Sequence, residues 1–290
     1  MSDPKTISFL SDYGSGDEFV GVVRSVIRQI APEVAVIDIT HEIAPHDVKA
    51  GGLALARSVQ YLAPGVVLGI VDPGVGTDRR AVAIEVADGE AYFVGPDNGL
   101  LAPAVQMVGG ATRAFELAEP DLQLAAPGPT FAGRDVFAPA AAHLAGGVPV
   151  ERFGPEIDPN TLLPAMIPIT REEDGRLVAE VLWTDRFGNL QLNVDPAEID
   201  AWGERVELRF DGTVRTGVRR RTYAEVAKNE IGLVVDSYGL VSIALDRASA
   251  AADLGLDTGA EVLLRPFDDG DEGAPVAPVP PTPVTLRERP

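Results

Sequence analysis

The sequence predicts an α/β protein with an N-terminal α/β domain, built on a mixed and mostly parallel sheet, and a smaller C-terminal antiparallel β-barrel-like domain. Two patterns indicate this organisation. In the first half, strand-like apolar runs alternate with segments whose apolar residues recur every three or four positions. In the second half, short strand-like runs follow one another with turns between them, which is typical of small antiparallel sheets or barrels.

The N-terminal domain is predicted over residues 1–160. Its central strand begins the stretch VVLGIVDPGVGT (66–77), where an apolar run without charge indicates a strand buried on both faces. Asp17 and Asp135 are placed to cap the first and the last helix. The predicted elements are a strand at the start of 7–19, a helix after Asp17, a strand at 33–40, a helix at 50–62, a strand at 66–71, a hairpin of 81–87 and 91–98, a helix from near Leu100 and a helix within 130–145.

The C-terminal domain is predicted over residues 161–267, with a proline-rich linker at 151–175 that has no periodicity. The tail, 268–290, is acidic and rich in proline, and we expect it to be disordered. Two short helices are predicted around 196–202 and 248–254. The predicted strands are 176–185, 189–194, 205–210, 213–220, 231–237, 239–245 and 260–266.

The composition excludes several classes of protein. A formal net charge of −20 disfavours nucleic acid and anionic membranes as partners, because both need a cationic protein surface. The chain has no cysteine and three scattered histidines, which argues against disulfides, a cysteine nucleophile and a zinc site. The sequence contains neither an apolar run of about eighteen residues nor a signal-peptide pattern, so we expect a cytoplasmic protein.

Asp72 is the first candidate for chemistry. It follows the central strand, and ligands of open α/β sheets bind in the crevice outside the carboxyl ends of the strands. Arg79 and Arg80 follow closely enough for one of them to fold back onto the carboxylate. An ordinary turn aspartate at the strand exit is the alternative.

The acidic loop after the first strand is a second candidate site. Asp12 and Asp17 surround Gly14 and Gly16 ahead of a helix, and an acidic loop at this position favours hydroxyl or amine groups over phosphate. A turn role for Asp12 and a helix-capping role for Asp17 are the alternatives.

Two histidines are weaker candidates. His46 precedes Asp47, and a cap or loop contact is the simpler explanation of that pair. His143 lies among alanines on the last helix of the first domain, where a lone histidine is more often a packing or surface residue than a catalyst.

Seven stretches recur in order over residues 7–266 in a known family. They are LSDYGSGDEFVG (10–21), IDITHEI (37–43) with HDVKAG (46–51), VDPGVGTDRR (71–80), FVGPDNGLL (93–101), FAGRDVFAPAAAHLA (131–145), TDRFGNLQLN (184–193) and DSYGLVSIAL (236–245). Together they resemble the S-adenosylmethionine hydroxide adenosyltransferases, relatives of the S-adenosylmethionine-dependent fluorinase and chlorinase.

The resemblance implies the same two-domain fold and a homotrimer, with the ligand between the first domain of one subunit and the second domain of its neighbour. It implies S-adenosylmethionine as a small-molecule substrate, no separate cofactor and no metal. By motif position, Asp72, Arg79 and His143 resemble the Asp-Arg-His constellation of the hydroxide-using members.

The same resemblance assigns substrate-binding roles. Asp12 resembles the acid that holds the ribose hydroxyls and Asp17 the acid that receives the methionine amine, which suits carboxylate chemistry. His46, within a matched stretch, is grouped with them. The C-terminal domain is expected to contribute the adenine-side residues Asp185, Phe187 and Asn189, and Ser237 as a contact to the methionine carboxylate.

Departures from the halogenase pattern favour water as the nucleophile. The halogenases have an aromatic residue in place of Asp72, and hydroxyl residues where this chain has Val75 and Gly133. They also place an arginine beside the serine, where Tyr238 stands here, which leaves the Ser237 contact open. The resemblance therefore predicts hydrolysis of S-adenosylmethionine to adenosine and methionine by attack of water or hydroxide at C5′. The alternatives are adenosyl transfer to chloride and a non-catalytic adenosine- or S-adenosylmethionine-binding protein.

Overall fold

The computed structural model describes residues 6–268, which form two compact units divided between Ile169 and Thr170. The first unit is α/β, as the sequence predicts, and the second is a β structure that is antiparallel apart from one parallel pair of strands. The tail predicted at 268–290 lies outside the described residues, apart from Asp268.

A seven-stranded sheet forms the centre of the first unit. Its strands are β1 (Thr6–Ser11), β2 (Val36–Thr40), β3 (Gly65–Ile70), β4 (Ala81–Val86), β5 (Ala91–Pro96), β6 (Arg113–Glu116) and β7 (Glu156–Ile157). They stand in the order β2-β1-β3-β5-β4-β6-β7. Pairing is parallel from β2 to β5 and antiparallel from β5 to β7, so only β4 and β7 run opposite to the other strands. This confirms the mixed, mostly parallel sheet.

Helices cover both faces of this sheet. They are α1 (Phe19–Ile30), α2 (Val48–Ser58), α3 (Ala102–Met107) and α4 (Ala138–Ala145), with a π-helical turn at Gly133–Phe137 before α4. Because side chains alternate along a strand, Leu68 of β3 packs in one core with α1 and α4, whereas Val67 packs in a second core with α2 and α3. The predicted burial of the central strand on both faces is confirmed.

The structure corrects two predicted helix caps. Helix α1 begins at Phe19 behind Glu18, which makes no capping hydrogen bond, so the capping role predicted for Asp17 is wrong. Asp135 does not cap the last helix either, because it lies inside the π-helical turn and pairs with Arg134. The cap contact considered for the His46–Asp47 pair is present, since the Asp47 carboxylate accepts a hydrogen bond from the Ala50 N–H at 2.8 Å.

The second unit is a closed barrel. Its strands are β8 (Arg171–Glu173), β9 (Arg176–Thr184), β10 (Leu190–Leu192), β11 (Arg205–Phe210), β12 (Thr213–Arg220), β13 (Ile231–Val235), β14 (Val241–Ala244) and β15 (Glu261–Pro266). Strand β10 pairs with both β9 and β14, which closes a ring of seven strands, and β8 pairs with the outer edge of β9. A 3₁₀ helix (Pro196–Trp202) and α5 (Ala250–Leu254) interrupt the strands. All seven predicted strands are therefore confirmed, and β8 is an addition.

The burial of β3 predicts how a substitution in this strand changes the free energy of unfolding. Replacing the fully buried Leu68 by Ala should lower the free energy of unfolding by about 2–5 kcal/mol, because the cavity is not refilled. Denaturation in urea measures this change. Leu163→Ala is the matched control, since that side chain is half exposed and its truncation should cost about 0.5 kcal/mol or less. Equal losses in the two variants would contradict the placement of β3.

Candidate active site

The carboxyl ends of β1 and β3 lie side by side and form the candidate site of the first unit. Ser11 pairs with Ile70, and the Asp12 N–H donates to the Ile70 carbonyl at 3.2 Å. In the sheet, β1 lies between β2 and β3. The chain therefore adds its next strand on one side of β1 and the following strand on the other side, so the strand order reverses at β1. Ligands of open α/β sheets bind at such a reversal. The structure therefore brings Asp12 and Asp72 to this edge of the sheet.

Asp72 and Arg79 form a bidentate ion pair at this edge. Arg79 donates from Nε to Oδ1 at 2.8 Å and from Nη2 to Oδ2 at 2.5 Å, and both side chains are largely buried. The turn between them is closed by Thr77, whose hydroxyl donates to the Gly74 carbonyl, and by Gly76 at φ +79°. The guanidinium of Arg79 also lies over the Phe137 ring, 5.1 Å from its centre. Arg79 is thus held rigidly against Asp72.

Arg80 pairs with Asp97 and not with Asp72. Its Nε donates to Asp97 at 2.9 Å and its Nη1 donates to the Thr161 hydroxyl at 3.0 Å. Arg80 therefore ties the segment near Thr161 to the end of β5. Of the two arginines that the sequence left open, Arg79 is the one that pairs with Asp72.

The acidic loop is tied to the loop after β2. The His46 N–H donates to Asp12 Oδ2 at 2.9 Å, with His46 at φ +70°, and the Gly14 N–H donates to the His41 carbonyl at 2.7 Å. Asp12 is half-buried, and Asp17 is exposed. The contact of His46 with Asp12 is through its backbone, which a sequence motif alone does not reveal.

Tyr13 is the main residue that sequence reasoning missed. Its ring packs against Phe19 and Phe131 at centroid distances of 5.5 and 5.7 Å. Burial raises the pKa of Tyr13, and the nearby carboxylates of Asp12 and Asp72 raise it further. The phenol is therefore neutral at physiological pH. The only sequence signal was its place between Asp12 and a glycine at the exit of β1.

His143 forms no hydrogen bond or ion pair with Asp72 or Arg79. It is in the last turn of α4, six residues after Phe137, which corresponds to about 9 Å along a helix axis. Within residues 6–268 its ring makes no hydrogen bond or ion pair, and partial burial lowers its pKa. The structure therefore brings Asp72 and Arg79 together but does not bring His143 into hydrogen-bond contact with them.

The second unit has a cavity of its own, of about 870 Å³, a volume suited to a small molecule. Asp185 organises one wall. Its Oδ1 accepts the N–H groups of Phe187 and Asn189 at 2.8 and 2.9 Å, and its Oδ2 accepts the Asn189 side-chain amide at 2.8 Å. The Phe187 ring is 79% exposed. All four predicted residues of this domain, Asp185, Phe187, Asn189 and Ser237, line the cavity.

The cavity is also lined by residues that the sequence did not single out, among them Trp183, Tyr223 and Asp236. The Asp236 carboxylate accepts hydrogen bonds from the Gln191 amide at 2.6 Å and the Ser242 hydroxyl at 3.1 Å. Because Gln191 and Asp236 are 45 positions apart, no local spacing signals their contact.

Within residues 6–268, no cluster of three or more His, Cys, Asp or Glu side chains could hold a metal ion. None of the helices in that range has the length and apolar content needed to cross a bilayer.

The chain is thus a two-unit α/β and β-barrel protein. Its α/β unit has a buried Asp-Arg pair where the strand order reverses, and its barrel has a cavity of a size suited to a small molecule. The family description "SAM hydroxide adenosyltransferase N-terminal domain" matches residues 7–154, and the corresponding C-terminal domain matches residues 179–263. The chain belongs to the SAM hydroxide adenosyltransferase family.

Individual relatives agree with this assignment. The (R)-S-adenosyl-L-methionine hydrolase of Salinispora tropica is 41% identical, over 89% of this chain and 97% of that protein. The protein of the same name from Thermus thermophilus is 42% identical, over 90% of this chain and 99% of the relative. A crystal structure of an uncharacterized conserved protein from Thermotoga maritima has a TM-score of 0.82 and 31% identity, and covers 89% of this chain and 99% of its own.

The raised pKa of Tyr13 predicts how this phenol titrates. At about pH 11 most unperturbed phenols are ionised, but the Tyr13 phenol of the folded protein should remain neutral. Tyr13→Phe should therefore leave the absorbance of the folded protein at 295 nm unchanged at this pH. Unfolding both proteins in denaturant at the same pH should reveal a difference of one phenolate. A difference already present in the folded proteins would contradict the burial of this hydroxyl.

Proposed function

We propose that the protein hydrolyses S-adenosyl-L-methionine to adenosine and L-methionine. One observation carries the proposal: the Asp72 carboxylate, held by Arg79, lies at the ligand-binding edge of a chain whose similar curated relatives are named S-adenosyl-L-methionine hydrolases. A fixed carboxylate can accept a proton from water, and it disfavours a halide ion in the same place.

Asp12 and Asp17 are proposed to bind the ribose and methionine parts of the substrate. The Oδ2 atom of Asp12 is occupied by the His46 N–H, and Oδ1 accepts no hydrogen bond from residues 6–268. A carboxylate in this state can accept hydrogen bonds from a diol. Asp17 is exposed and can pair with the methionine ammonium. His46 contributes by holding Asp12 through its backbone.

The barrel residues are proposed to bind the adenine. Three protein N–H donors already occupy the Asp185 carboxylate, so its proposed role is to fix Phe187 and Asn189. The exposed Phe187 ring offers a stacking surface, and the Asn189 side chain offers polar contacts to the base edge. Ser237, in the same cavity, is proposed to bind the methionine carboxylate.

In the proposed reaction, a water oxygen forms a bond to C5′ while the C5′–S bond breaks. The electron pair of that bond leaves with the methionine sulfur, and the water proton is accepted by Asp72. The sulfonium is already a good leaving group, so no general acid is required. The protein must supply an oriented water opposite the sulfur and a proton acceptor, and proton transfer of this kind contributes about 10²- to 10⁴-fold to the rate.

Chromatography of the purified protein incubated with S-adenosylmethionine tests the proposal, with and without added chloride. We expect adenosine and methionine in equal amounts, independent of chloride. A chlorinated nucleoside would show halide transfer instead. Binding without any product would indicate a non-catalytic protein. Either of these two results would overturn the proposed function.

The Asp72–Arg79 pair predicts the effect of substitution. Asp72→Asn should lower kcat by about 10²- to 10⁴-fold, because the amide cannot accept the proton. The Kd for S-adenosylmethionine, measured by calorimetry, should change much less. Arg80→Lys is the matched control, since Arg80 pairs with Asp97, and it should keep near-normal kcat. Equal losses in both variants would point to a general structural effect.

His143 is a separate case, because its catalytic assignment depends on the family resemblance. Since its ring makes no hydrogen bond with Asp72 or Arg79, we expect His143→Gln to reduce kcat at least about tenfold less than Asp72→Asn does. Steady-state kinetics of both variants measures the difference. A loss as large as that of Asp72→Asn would establish His143 as a member of the constellation.

The absence of a cofactor and the oligomeric state are further proposals that come from the family resemblance, and the cellular location is a proposal that comes from the sequence. We propose that the reaction needs no cofactor, so that extensive dialysis against a chelator leaves the rate unchanged. We also propose a cytoplasmic homotrimer. Sedimentation analysis would then give about three times the 30.5 kDa chain mass.

A further inference from the structure

Tyr13 has a fixed position beside the proposed water site. Its N–H donates to the Ser11 hydroxyl at 3.3 Å, and that hydroxyl is hydrogen-bonded to His41 Nδ1 at 2.8 Å. The ring is held between Phe19 and Phe131, which are themselves in contact at 5.0 Å. Backbone and ring together leave the hydroxyl with little freedom to move.

Gly133 sets where this hydroxyl lies. A Cβ atom built on Gly133 would be 2.1 Å from the Tyr13 oxygen, so the phenol occupies the space that any side chain at this position would fill. Gly133 and Phe137 begin and end the same π-helical turn, and Arg79 lies over the Phe137 ring. The Tyr13 hydroxyl and the Asp72–Arg79 pair are therefore held against one turn of the chain.

The hydroxyl also lacks a partner. No residue within 6–268 forms a hydrogen bond with it, although a tyrosine hydroxyl in a largely buried setting normally has one. Asp72 and Arg79 are close enough to influence its titration, in opposite directions. A water molecule beside Asp72 would supply the missing partner.

We propose that the Tyr13 hydroxyl is a further catalytic group that hydrogen-bonds the attacking water. This inference rests on the proposed hydrolysis. A water that donates one O–H to Asp72 and the other to the Tyr13 oxygen has a lone pair left to face C5′. Two fixed acceptors thereby orient the nucleophile, whereas Asp72 alone would leave it free to rotate. Tyr13 accepts no proton in this scheme, and Asp72 remains the base.

Tyr13→Phe is the direct test, because it removes the hydroxyl and keeps the ring packing. We expect kcat to fall about 10- to 100-fold, with KM for S-adenosylmethionine and the urea midpoint of unfolding nearly unchanged. Tyr61→Phe, at an exposed tyrosine, is the matched control and should leave kcat unchanged. An unchanged kcat in Tyr13→Phe would overturn the inference while leaving the hydrolysis in place. Absence of adenosine from the wild-type protein would instead overturn the proposed function.

A second variant, which leaves Tyr13 itself unchanged, distinguishes displacement of the hydroxyl from a folding defect caused by substitution of Tyr13. Gly133→Ala should displace the hydroxyl and lower kcat, since the new Cβ takes its place. In the Tyr13→Phe background the same substitution should lower kcat much less, because no hydroxyl remains to be displaced. Multiplicative losses in the double variant would show that the two residues act separately and would contradict the inference.

Discussion

The buried ion pair between Asp72 and Arg79 is the interaction on which the candidate active site depends. Removing two charges from water is costly, and the cost is offset only when the geometry is good and the hydrogen bonds are satisfied. Both conditions hold, because two parallel N–H groups meet the two carboxylate oxygens and the guanidinium also rests on the Phe137 ring. Loss of either partner would leave a buried charge unpaired. The β3 strand, the turn after it and the start of α4 are thus joined at one point.

A second polar network supports the loop that carries Asp12. Ser11 bonds His41, whose other ring nitrogen lies 3.1 Å from Asp38, and Asp38 also pairs with Arg24 of α1. Burial, with a contribution from Arg24, lowers the pKa of His41, and its buried Nε2 makes no hydrogen bond with the described residues. Through this chain of contacts, the exit of β1, the exit of β2 and helix α1 share one fixed geometry. The loop at residues 12–17 can therefore be acidic and glycine-rich and still be held in place.

Carboxylates also hold two turns of the barrel in place. Aspartates at two strand turns, Asp185 and Asp236, accept N–H groups of their own turns, and Asp236 also accepts hydrogen bonds from side chains of neighbouring strands. Closure through β10 leaves no open edge in the ring, so these turns are carried by a continuous hydrogen-bonded wall. Phe187 can then remain exposed at the cavity without loosening the turn that presents it.

Local patterns in the sequence were enough to predict the elements, because the periods of helices and strands act over a few residues. They predicted the two-unit fold, the doubly buried β3 and all seven strands of the closed ring, and the motifs pointed to Asp12, Asp72 and the barrel residues. They missed the short strands β6, β7 and β8, which are too brief to show a period. Tertiary structure alone decided that Arg79 and not Arg80 meets Asp72, that the His143 ring makes no hydrogen bond with this pair, and that Tyr13 lies over Gly133. Those outcomes depend on packing between segments up to 120 positions apart, which no local spacing encodes.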